Sequence, residues 1–143
     1  VVLDNRATAM TGFQPHPGLG RTALNQVTKE IDIAGIAAAC GVECVREVDP
    51  YDLAAAEAAV REAVAFSGPA VVVMKQQCTA LKTKTTGYRV NSDICINCKI
   101  CLEEFGCPAL SLEDDQVVIG DSCSGCGVCV QICPTAAIEE VRP

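Results

Sequence analysis

The sequence predicts an α/β segment with an incomplete parallel sheet, followed by a small α+β unit built around cysteines. Residues 1–80 alternate apolar strand-like runs with helical stretches, which is typical of α/β folds. Residues 85–143 contain eight of the eleven cysteines, arranged as two similar runs. Between these parts, the polar and basic stretch 81–89 predicts a linker. We therefore place the domains at 1–82 and 83–143.

The elements of the first part follow from local patterns. Apolar runs rich in β-branched residues predict three strands, at 1–3, 44–48 and 69–74. Two helices are predicted, at 31–41 and 49–68, and the first has Asp32 as its N-cap and Gly41 as its stop. Three short strands and two helices cannot cover both faces of a parallel sheet. We therefore expect missing sequence upstream of Val1, a partner subunit, or both.

Composition narrows the class of protein. The net charge is −7, which argues against nucleic-acid binding because phosphate neutralisation needs a basic face. Neither a signal peptide nor a run of about 18 apolar residues is visible, so we expect a cytoplasmic protein that does not span a membrane. Eleven cysteines are an odd number, and without an export signal they indicate metal ligands more than disulfides.

The second part contains one cysteine motif twice, and the first three cysteines recur at an offset of 28 residues, whereas the first run has two extra residues before its fourth cysteine. In each run, three cysteines are separated by two intervening residues, and a fourth cysteine is followed by proline. This is the bacterial two-cluster pattern, in which the fourth cysteine of each run binds the other [4Fe–4S] cluster. The predicted ligands of cluster one are Cys95, Cys98, Cys101 and Cys133, and those of cluster two are Cys123, Cys126, Cys129 and Cys107. The stretch 109–120 between the runs predicts a hairpin, and Gly125 and Gly127 are expected to adopt unusual backbone angles.

Two other interpretations of the cysteines are weaker. Structural zinc normally uses two ligand pairs with a wider gap between them, and a disulfide framework would not need one pattern twice. Three cysteines lie outside the runs, namely Cys40, Cys44 and Cys78. We expect each of them to be a small buried apolar side chain rather than a ligand.

The first twenty residues contain a second candidate site. A strand ends in Asp4 and Asn5 and opens into a loop with Thr8, Thr11, glycines and prolines. In α/β sheets, ligands bind beyond the carboxyl ends of strands, and these oxygen groups suit a hard cation and a phosphate. The alternative is an ordinary surface loop.

The stretch "VVLDNRATAMTGFQPHPG", followed by an α/β segment and two cysteine runs, resembles the indolepyruvate branch of the thiamine-diphosphate-dependent 2-oxoacid:ferredoxin oxidoreductases. The similarity is to the C-terminal part of the alpha subunit and covers essentially the whole chain. It implies that 1–82 belong to a thiamine-diphosphate-binding α/β domain. It also implies that 83–143 form a two-[4Fe–4S] ferredoxin-like domain.

The resemblance also assigns residues in the first loop. Mg²⁺ would be held by the side-chain oxygen of Asn5, the main-chain carbonyl of Ala7 and an Asp from an upstream Gly-Asp motif that this sequence lacks. Contacts to the thiamine diphosphate are expected from Thr11, Gly12 and Gln14. His16 is a candidate catalytic residue, although a lone His in a Pro-Gly loop is more often structural.

The implied activity is CoA-dependent oxidative decarboxylation of an aryl 2-oxoacid, with indolepyruvate giving indoleacetyl-CoA and CO₂. Electrons would pass through the two clusters to ferredoxin in anaerobic metabolism, and a beta subunit would complete the enzyme. On its own this chain is expected to be inactive. The alternative is a ferredoxin-type electron carrier without catalytic activity of its own.

Overall fold

The computed structural model describes residues 1–81 and 86–141, which form two compact units, Val1–Leu81 and Lys82–Pro143. The first unit contains the predicted α/β segment, and the second contains both cysteine runs. The predicted boundary between residues 82 and 83, and part of the predicted linker, lie outside the described residues.

The first unit is built on a three-stranded parallel sheet. Its strands are β1 (Val2–Asp4), β2 (Cys44–Val48) and β3 (Ala70–Lys75), and its helices are α1 (Ile33–Ala39) and α2 (Leu53–Ala65). Strand β3 lies between the other two and pairs in parallel with both, with Val73 opposite Val2 and Glu47. The α/β fold with a small parallel sheet is therefore confirmed.

Local capping explains where the helices begin. Asp32 accepts a hydrogen bond from the Gly35 amide at 2.9 Å, and Asp52 accepts one from the Ala55 amide at 3.0 Å. Each carboxylate satisfies one of the amides that has no partner inside the first turn. The predicted cap of α1 is thus confirmed, whereas α2 begins at Leu53, four residues later than predicted, because Asp52 is its cap.

The core of the first unit lies along β3. Val73 is fully buried and Val72 is nearly so, as expected for a central parallel strand. The apolar run at 1–3 predicts the end of a buried strand, and this is wrong for Val1 and Leu3, which are 80% and 76% exposed. Strand β1 is an edge strand of the sheet in the described part of the chain.

Two three-residue 3₁₀ turns, Ala9–Thr11 and Pro17–Leu19, interrupt the long segment that follows β1. A third, Thr79–Leu81, follows β3. The backbone of this segment leaves β1 at Asn5, whose carbonyl accepts a hydrogen bond from the Cys78 amide at 2.9 Å. The loops after β1 and β3 are therefore tied together at one edge of the sheet.

The second unit is a small α+β arrangement. Its elements are β4 (Gly87–Val90), α3 (Ile100–Glu103), β5 (Leu110–Glu113), β6 (Gln116–Ile119), α4 (Val128–Ile132) and β7 (Ile138–Val141). Strand β4 pairs antiparallel with β7, and β5 pairs antiparallel with β6. Its core contains Leu110, Val117, Cys129 and Ile138.

The interpretation of 81–89 as a linker is wrong for its last residues, because β4 begins at Gly87. Tyr88 and Val90 pack against the core of the unit. The partner strand, β7, is some fifty residues away, so no local pattern indicated the pairing.

The predicted hairpin is confirmed by β5 and β6. Asp114 and Asp115 connect them with φ values of 47° and 60°. Positive φ at both central residues is the requirement of a type I′ turn, which Asp and Asn tolerate better than most residues. In the part of the chain that the structure describes, no helix is long and apolar enough to span a membrane.

Candidate functional site

The two cysteine runs have matching backbone conformations. In the first run Asn97 and Lys99 have φ values of 53° and 60°. In the second run Gly125 and Gly127, 28 residues later, have φ values of 74° and 77°, as the sequence predicts for these glycines. The two runs therefore repeat each other in backbone conformation as well as in sequence. The residues with a left-handed backbone conformation between the cysteines curve each run into a tight loop.

The structure brings the four predicted ligands of cluster one together. All four line one small cavity, with Val90, Val117 and Ile138 among the residues that complete its wall. The four are Cys95, Cys98, Cys101 and Cys133. Burial raises the pKa of the Cys101 thiol, and proximity to the other three sulfurs raises it further. The fourth cysteine of the second run thus lies with the first three of the first run.

The reciprocal grouping is found around Cys129. Burial raises the pKa of this thiol to about 11, and the nearby sulfurs of Cys126, Cys123 and Cys107 contribute in the same direction. The fourth cysteine of the first run therefore lies with the first three of the second run.

Cys133 is set apart by its hydrogen bonds. The Ala137 amide donates to its Sγ at 3.2 Å, and the Thr135 hydroxyl lies 3.7 Å from the same atom. Burial disfavours the thiolate, but the hydrogen bonds from Thr135, Ala137 and Ile138 outweigh burial and lower the pKa of Cys133. Sequence reasoning did not identify Thr135, although a hydroxyl two residues after a cysteine was a visible signal.

The donor set suits iron–sulfur clusters better than single ions. In a [4Fe–4S] cluster each thiolate binds a different iron, so the four sulfurs surround the cluster at a distance from one another. Two sets of four cysteines, one of them around a small cavity, fit that arrangement.

The second loop is closely packed against β4. A Cβ at Gly125 would lie 2.5 Å from the Thr86 carbonyl oxygen, and a Cβ at Gly127 would lie 2.8 Å from the Tyr88 hydroxyl. Burial raises the pKa of Tyr88, with further contributions from Glu140 and the sulfurs of the second set. Tyr88 is thus a neighbour of that set which the sequence did not indicate, because it belongs to the stretch interpreted as a linker.

At the end of β1, Asp4 belongs to an ion-pair network. Its buried carboxylate accepts hydrogen bonds from the Arg6 amide and guanidinium, both at 3.1 Å. Arg6 also pairs with Glu30 at 2.7 Å, and the bond to Glu30 is the main reason that the pKa of Arg6 is raised. Lys75 at the end of β3 lies 3.5 Å from Glu30. Asp4 therefore anchors the loop after β1.

Asn5 and Ala7 lie together in the same loop. The Asn5 Oδ1 accepts a hydrogen bond from the Ala7 amide at 3.1 Å. The Asn5 side chain is exposed, whereas Ala7 is 7% exposed. The two predicted metal contributors are thus adjacent, but they amount to two oxygens, fewer than the near-octahedral set that Mg²⁺ demands.

The remaining predicted contact residues form a closed turn. The Thr11 hydroxyl donates to the Gln14 Oε1 at 2.6 Å, and the Gln14 amide donates back to the Thr11 carbonyl. Gly12 and Phe13 have φ values of 106° and 61°. These polar groups satisfy one another, so a bound phosphate would have to replace bonds that already exist.

His16 has a local structural role in this conformation. Its Nδ1 accepts a hydrogen bond from the Gly18 amide at 3.2 Å and so caps the turn Pro17–Leu19. Its other ring nitrogen is not used by that bond. A catalytic role for His16 stays a prediction.

The three remaining cysteines differ in exposure. Cys44 is buried on β2, as expected, and Cys78 is half-buried. The expectation is wrong for Cys40, which is exposed at the C-terminal end of α1. Cys40 is the C-terminal cap of α1.

Comparison with known families assigns both parts of the chain. The model of the thiamine pyrophosphate enzymes, C-terminal TPP binding domain, matches residues 1–74. The model of the 4Fe-4S binding domain matches residues 117–139, which contain the second cysteine run. The first match contains the loop after β1, and the second contains the second cysteine run but not the first.

Curated relatives match nearly the whole chain. The indolepyruvate oxidoreductase subunit IorA of Archaeoglobus fulgidus is 39% identical over 150 residues, which cover 99% of this chain and 24% of the relative. The IorA subunit of Methanothermobacter marburgensis is 41% identical over 142 residues, covering 97% of this chain and 23% of the relative. The chain spans about a quarter of the length of these relatives. The resemblance noted from the sequence is confirmed.

A shorter relative matches about half of the chain. The pyruvate synthase subunit PorD of Methanothermobacter marburgensis is 31% identical over 74 residues, which are 48% of this chain and 89% of the relative. Similarity thus extends to subunits of two different 2-oxoacid enzymes.

Proposed function

Because this chain belongs to the thiamine pyrophosphate enzymes, through their C-terminal TPP binding domain, we propose that it is the cofactor-contacting and electron-relaying part of a 2-oxoacid:ferredoxin oxidoreductase. The proposed reaction is the CoA-dependent oxidative decarboxylation of an aryl 2-oxoacid, with indolepyruvate yielding indoleacetyl-CoA and CO₂. The names of the IorA relatives support this choice of substrate. The proposed site of action is the cytoplasm, with a beta subunit and a ferredoxin as partners.

The observation that carries the proposal is the crossed grouping of eight cysteines. Cys133 lies with the first run and Cys107 with the second, so each set has four thiols from both halves of the unit. Two [4Fe–4S] clusters held in this way would supply one-electron redox capacity. A pair of clusters relays electrons and does not by itself transform a substrate, so an electron source is required.

The source in this proposal is the site after β1. Thiamine diphosphate, when bound, supplies the reactive carbon for decarboxylation of a 2-oxoacid. Asn5 and the Ala7 carbonyl would hold its Mg²⁺, and Thr11, Gly12 and Gln14 would contact its phosphates. The Asp4–Arg6 ion pair would keep the loop in position, since both groups are tied to the end of the strand.

Iron analysis tests the cluster part of the proposal. Anaerobically reconstituted chain should hold about eight irons, from two clusters of four. Cys133→Ser should remove the signal of the cluster bound by Cys95, Cys98 and Cys101 and spare the other, as resolved by electron paramagnetic resonance. Cys40→Ser is the matched control, because this cysteine is exposed and lies outside both sets. About two zinc ions without iron would refute the clusters, and selective loss of the second cluster would refute the crossing.

A carrier without catalytic activity is the second candidate, and the paired state of Thr11 and Gln14 favours it. The two candidates differ in the need for thiamine diphosphate. In an assembled enzyme that contains this sequence, Asn5→Ala should strongly reduce thiamine-dependent oxidation of indolepyruvate and leave iron content unchanged. Unchanged activity and thiamine affinity would favour the carrier.

A further inference from the structure

The two cysteine loops are related by the repeat, but their outer surfaces differ. In the first run Ile94 and Ile96 flank Cys95, and they are 41% and 65% exposed. The positions 28 residues later, which flank Cys123, are Ser122 and Ser124, both exposed. One loop therefore presents an apolar surface to solvent, and its repeat presents a polar one.

The cysteines of the first run include a more exposed side chain than those of the second run. Among the eight cysteines, Cys98 is the exposed one, whereas its counterpart Cys126 is half-buried and Cys129 is buried. Because electron transfer between proteins weakens steeply with distance, the cluster closest to the surface is the better point of exchange. A cluster held in part by Cys98 would therefore have a more exposed ligand than one held by the second set.

Acidic groups border the apolar loop. Asp93 is exposed directly before Ile94. Asp115 lies against the loop from the hairpin turn, where its carbonyl accepts a hydrogen bond from the Asn97 amide at 2.9 Å and its carboxylate lies 3.4 Å from the Lys99 Nζ. Residues 86–141 carry nine acidic and two basic side chains, so the described part of the second unit is negative as a whole before any cluster charge is added.

A groove lies beside the same loop. Its lining includes Tyr88, Arg89, Cys95, Asn97 and Asp115. It therefore reaches from the β4 strand to the loop of the first run and adjoins one ligand of cluster one. A protruding side chain of a partner would be accommodated next to that ligand.

We propose that the surface formed by Ile94, Ile96 and Cys98, bordered by Asp93 and Asp115, is the docking site of a one-electron redox protein whose contact face is basic around an apolar centre. An apolar centre with a charged border is typical of transient protein interfaces, and opposite charges accelerate their formation. One electron leaves the chain at cluster one, which is oxidised, and reduces the acceptor of the partner; no bond or proton moves. The inference rests on the clusters of the proposed function and adds their point of exit.

The test uses the whole reconstituted chain, reduced with dithionite, and ferric mitochondrial cytochrome c as a basic one-electron acceptor. Stopped-flow mixing should give a second-order rate that falls as salt is added, because opposite charges attract less in salt. The double variant Ile94→Ser/Ile96→Ser should lower this rate by about tenfold at every salt concentration, since the apolar contact is lost. In the same variant the affinity of the oxidised chain for ferric cytochrome c, measured by calorimetry without electron transfer, should fall by a similar factor.

Two controls separate docking from damage. Ser122→Ala/Ser124→Ala changes the equivalent positions of the other run, and Leu112→Ser removes an apolar side chain that is 45% exposed on β5. Both should leave the rate within about twofold of the wild type. Asp93→Asn/Asp115→Asn should lower the rate at low salt and flatten its salt dependence.

The outcomes distinguish the docking site from the clusters. Because Ile96 also lines the cavity of the first set, iron content is measured first in the wild type and in Ile94→Ser/Ile96→Ser. A wild-type chain without iron overturns both the clusters and the docking site, and a rate loss in the double variant that only matches its loss of iron overturns the docking site. A chain with normal iron whose rate is unaffected by Ile94→Ser/Ile96→Ser overturns the docking site alone. An equal loss in the Leu112→Ser control, or a rate that rises with salt, overturns it as well.

Discussion

At the scale of single residues, the two runs reach the same backbone conformation with different side chains. Left-handed positions are occupied by Gly125 and Gly127 in one run and by Asn97 and Lys99 in the other. Asn tolerates positive φ because its side chain can form local hydrogen bonds, and the Asn97 amide donates to Asp115. Glycine is required in the second run for a different reason, since β4 approaches its backbone closely.

Replacement of Gly125 by Ala tests this account. The φ of 74° costs a residue with a Cβ about 1–2 kcal/mol, and the new Cβ would lie 2.5 Å from the Thr86 carbonyl oxygen. We expect a loss of unfolding free energy of at least about 1–2 kcal/mol, measured by chemical denaturation, together with weaker retention of iron by the second set.

Gly120→Ala is the matched control for that variant. Its φ is not positive, and a Cβ there would lie 3.7 Å from the Ala109 carbonyl oxygen, an ordinary contact. Its stability should therefore stay close to that of the wild type. A Gly125→Ala chain as stable as Gly120→Ala would contradict the close approach of β4.

At the scale of elements, ion pairs join neighbours that are distant in sequence. Arg46 on β2 donates to both carboxylate oxygens of Glu62 on α2, with the Nε to Oε2 distance 2.7 Å. The hydrogen bonds from Arg46 lower the pKa of Glu62 below its ordinary 4.5. Both side chains are partly exposed, so the pair adds little stability but helps to orient the helix.

The lowered pKa of Glu62 predicts a pH dependence. A carboxyl whose pKa is lower in the folded state stabilises the fold above the unfolded pKa, near 4.5, and this contribution is lost as pH falls through the folded value. At pH 7 Glu62→Gln should therefore melt a few degrees lower than the wild type at most. The difference in melting temperature should shrink below pH 4.5.

Comparing the two chains at each pH cancels the effects of other acid-sensitive groups, including the sulfurs. Glu57→Gln is a suitable control on the same helix, since Glu57 pairs with Arg61 within α2 and does not contact β2 through that bond. A difference between wild type and Glu62→Gln that grows as pH falls would have the wrong sign for this ion pair.

At the scale of the whole molecule, the two units differ in how complete their candidate ligand sets are. The second unit holds both complete sets of four cysteines. The first unit holds two adjacent candidate oxygens for Mg²⁺, and its polar turn is already satisfied internally. We therefore expect the clusters to assemble in this chain without partners, whereas the thiamine site needs further residues.

This difference is measurable on the 143-residue chain. After reconstitution it should hold its irons yet bind thiamine diphosphate with Mg²⁺ at least about a hundredfold more weakly than an assembled enzyme, because the missing ligands would each contribute well over about 1 kcal/mol. It should show no oxidation of indolepyruvate. Calorimetric titration with thiamine diphosphate, with and without Mg²⁺, measures this, and tight Mg²⁺-dependent binding would contradict the incomplete site.

The sequence by itself determined the features that depend on neighbours along the chain. An N-cap such as Asp32 accepts a hydrogen bond from a backbone amide only three residues later. The hairpin turn at Asp114 needs two adjacent residues with positive φ. The spacing of the cysteines predicted which of them form each set, because three ligands on one tight loop leave the fourth to point elsewhere. The parallel sheet followed from continuous apolar runs.

Only the tertiary structure decided the features that depend on distant segments. The pairing of β4 with β7, the approach of Tyr88 to Gly127 and the Arg46–Glu62 ion pair each join residues that are widely separated in sequence. The exposure of Ile96 beside a cluster also depends on what packs around it rather than on its neighbours in the chain. Such contacts form only after the elements have packed, because local preference at one segment carries no information on its distant partner.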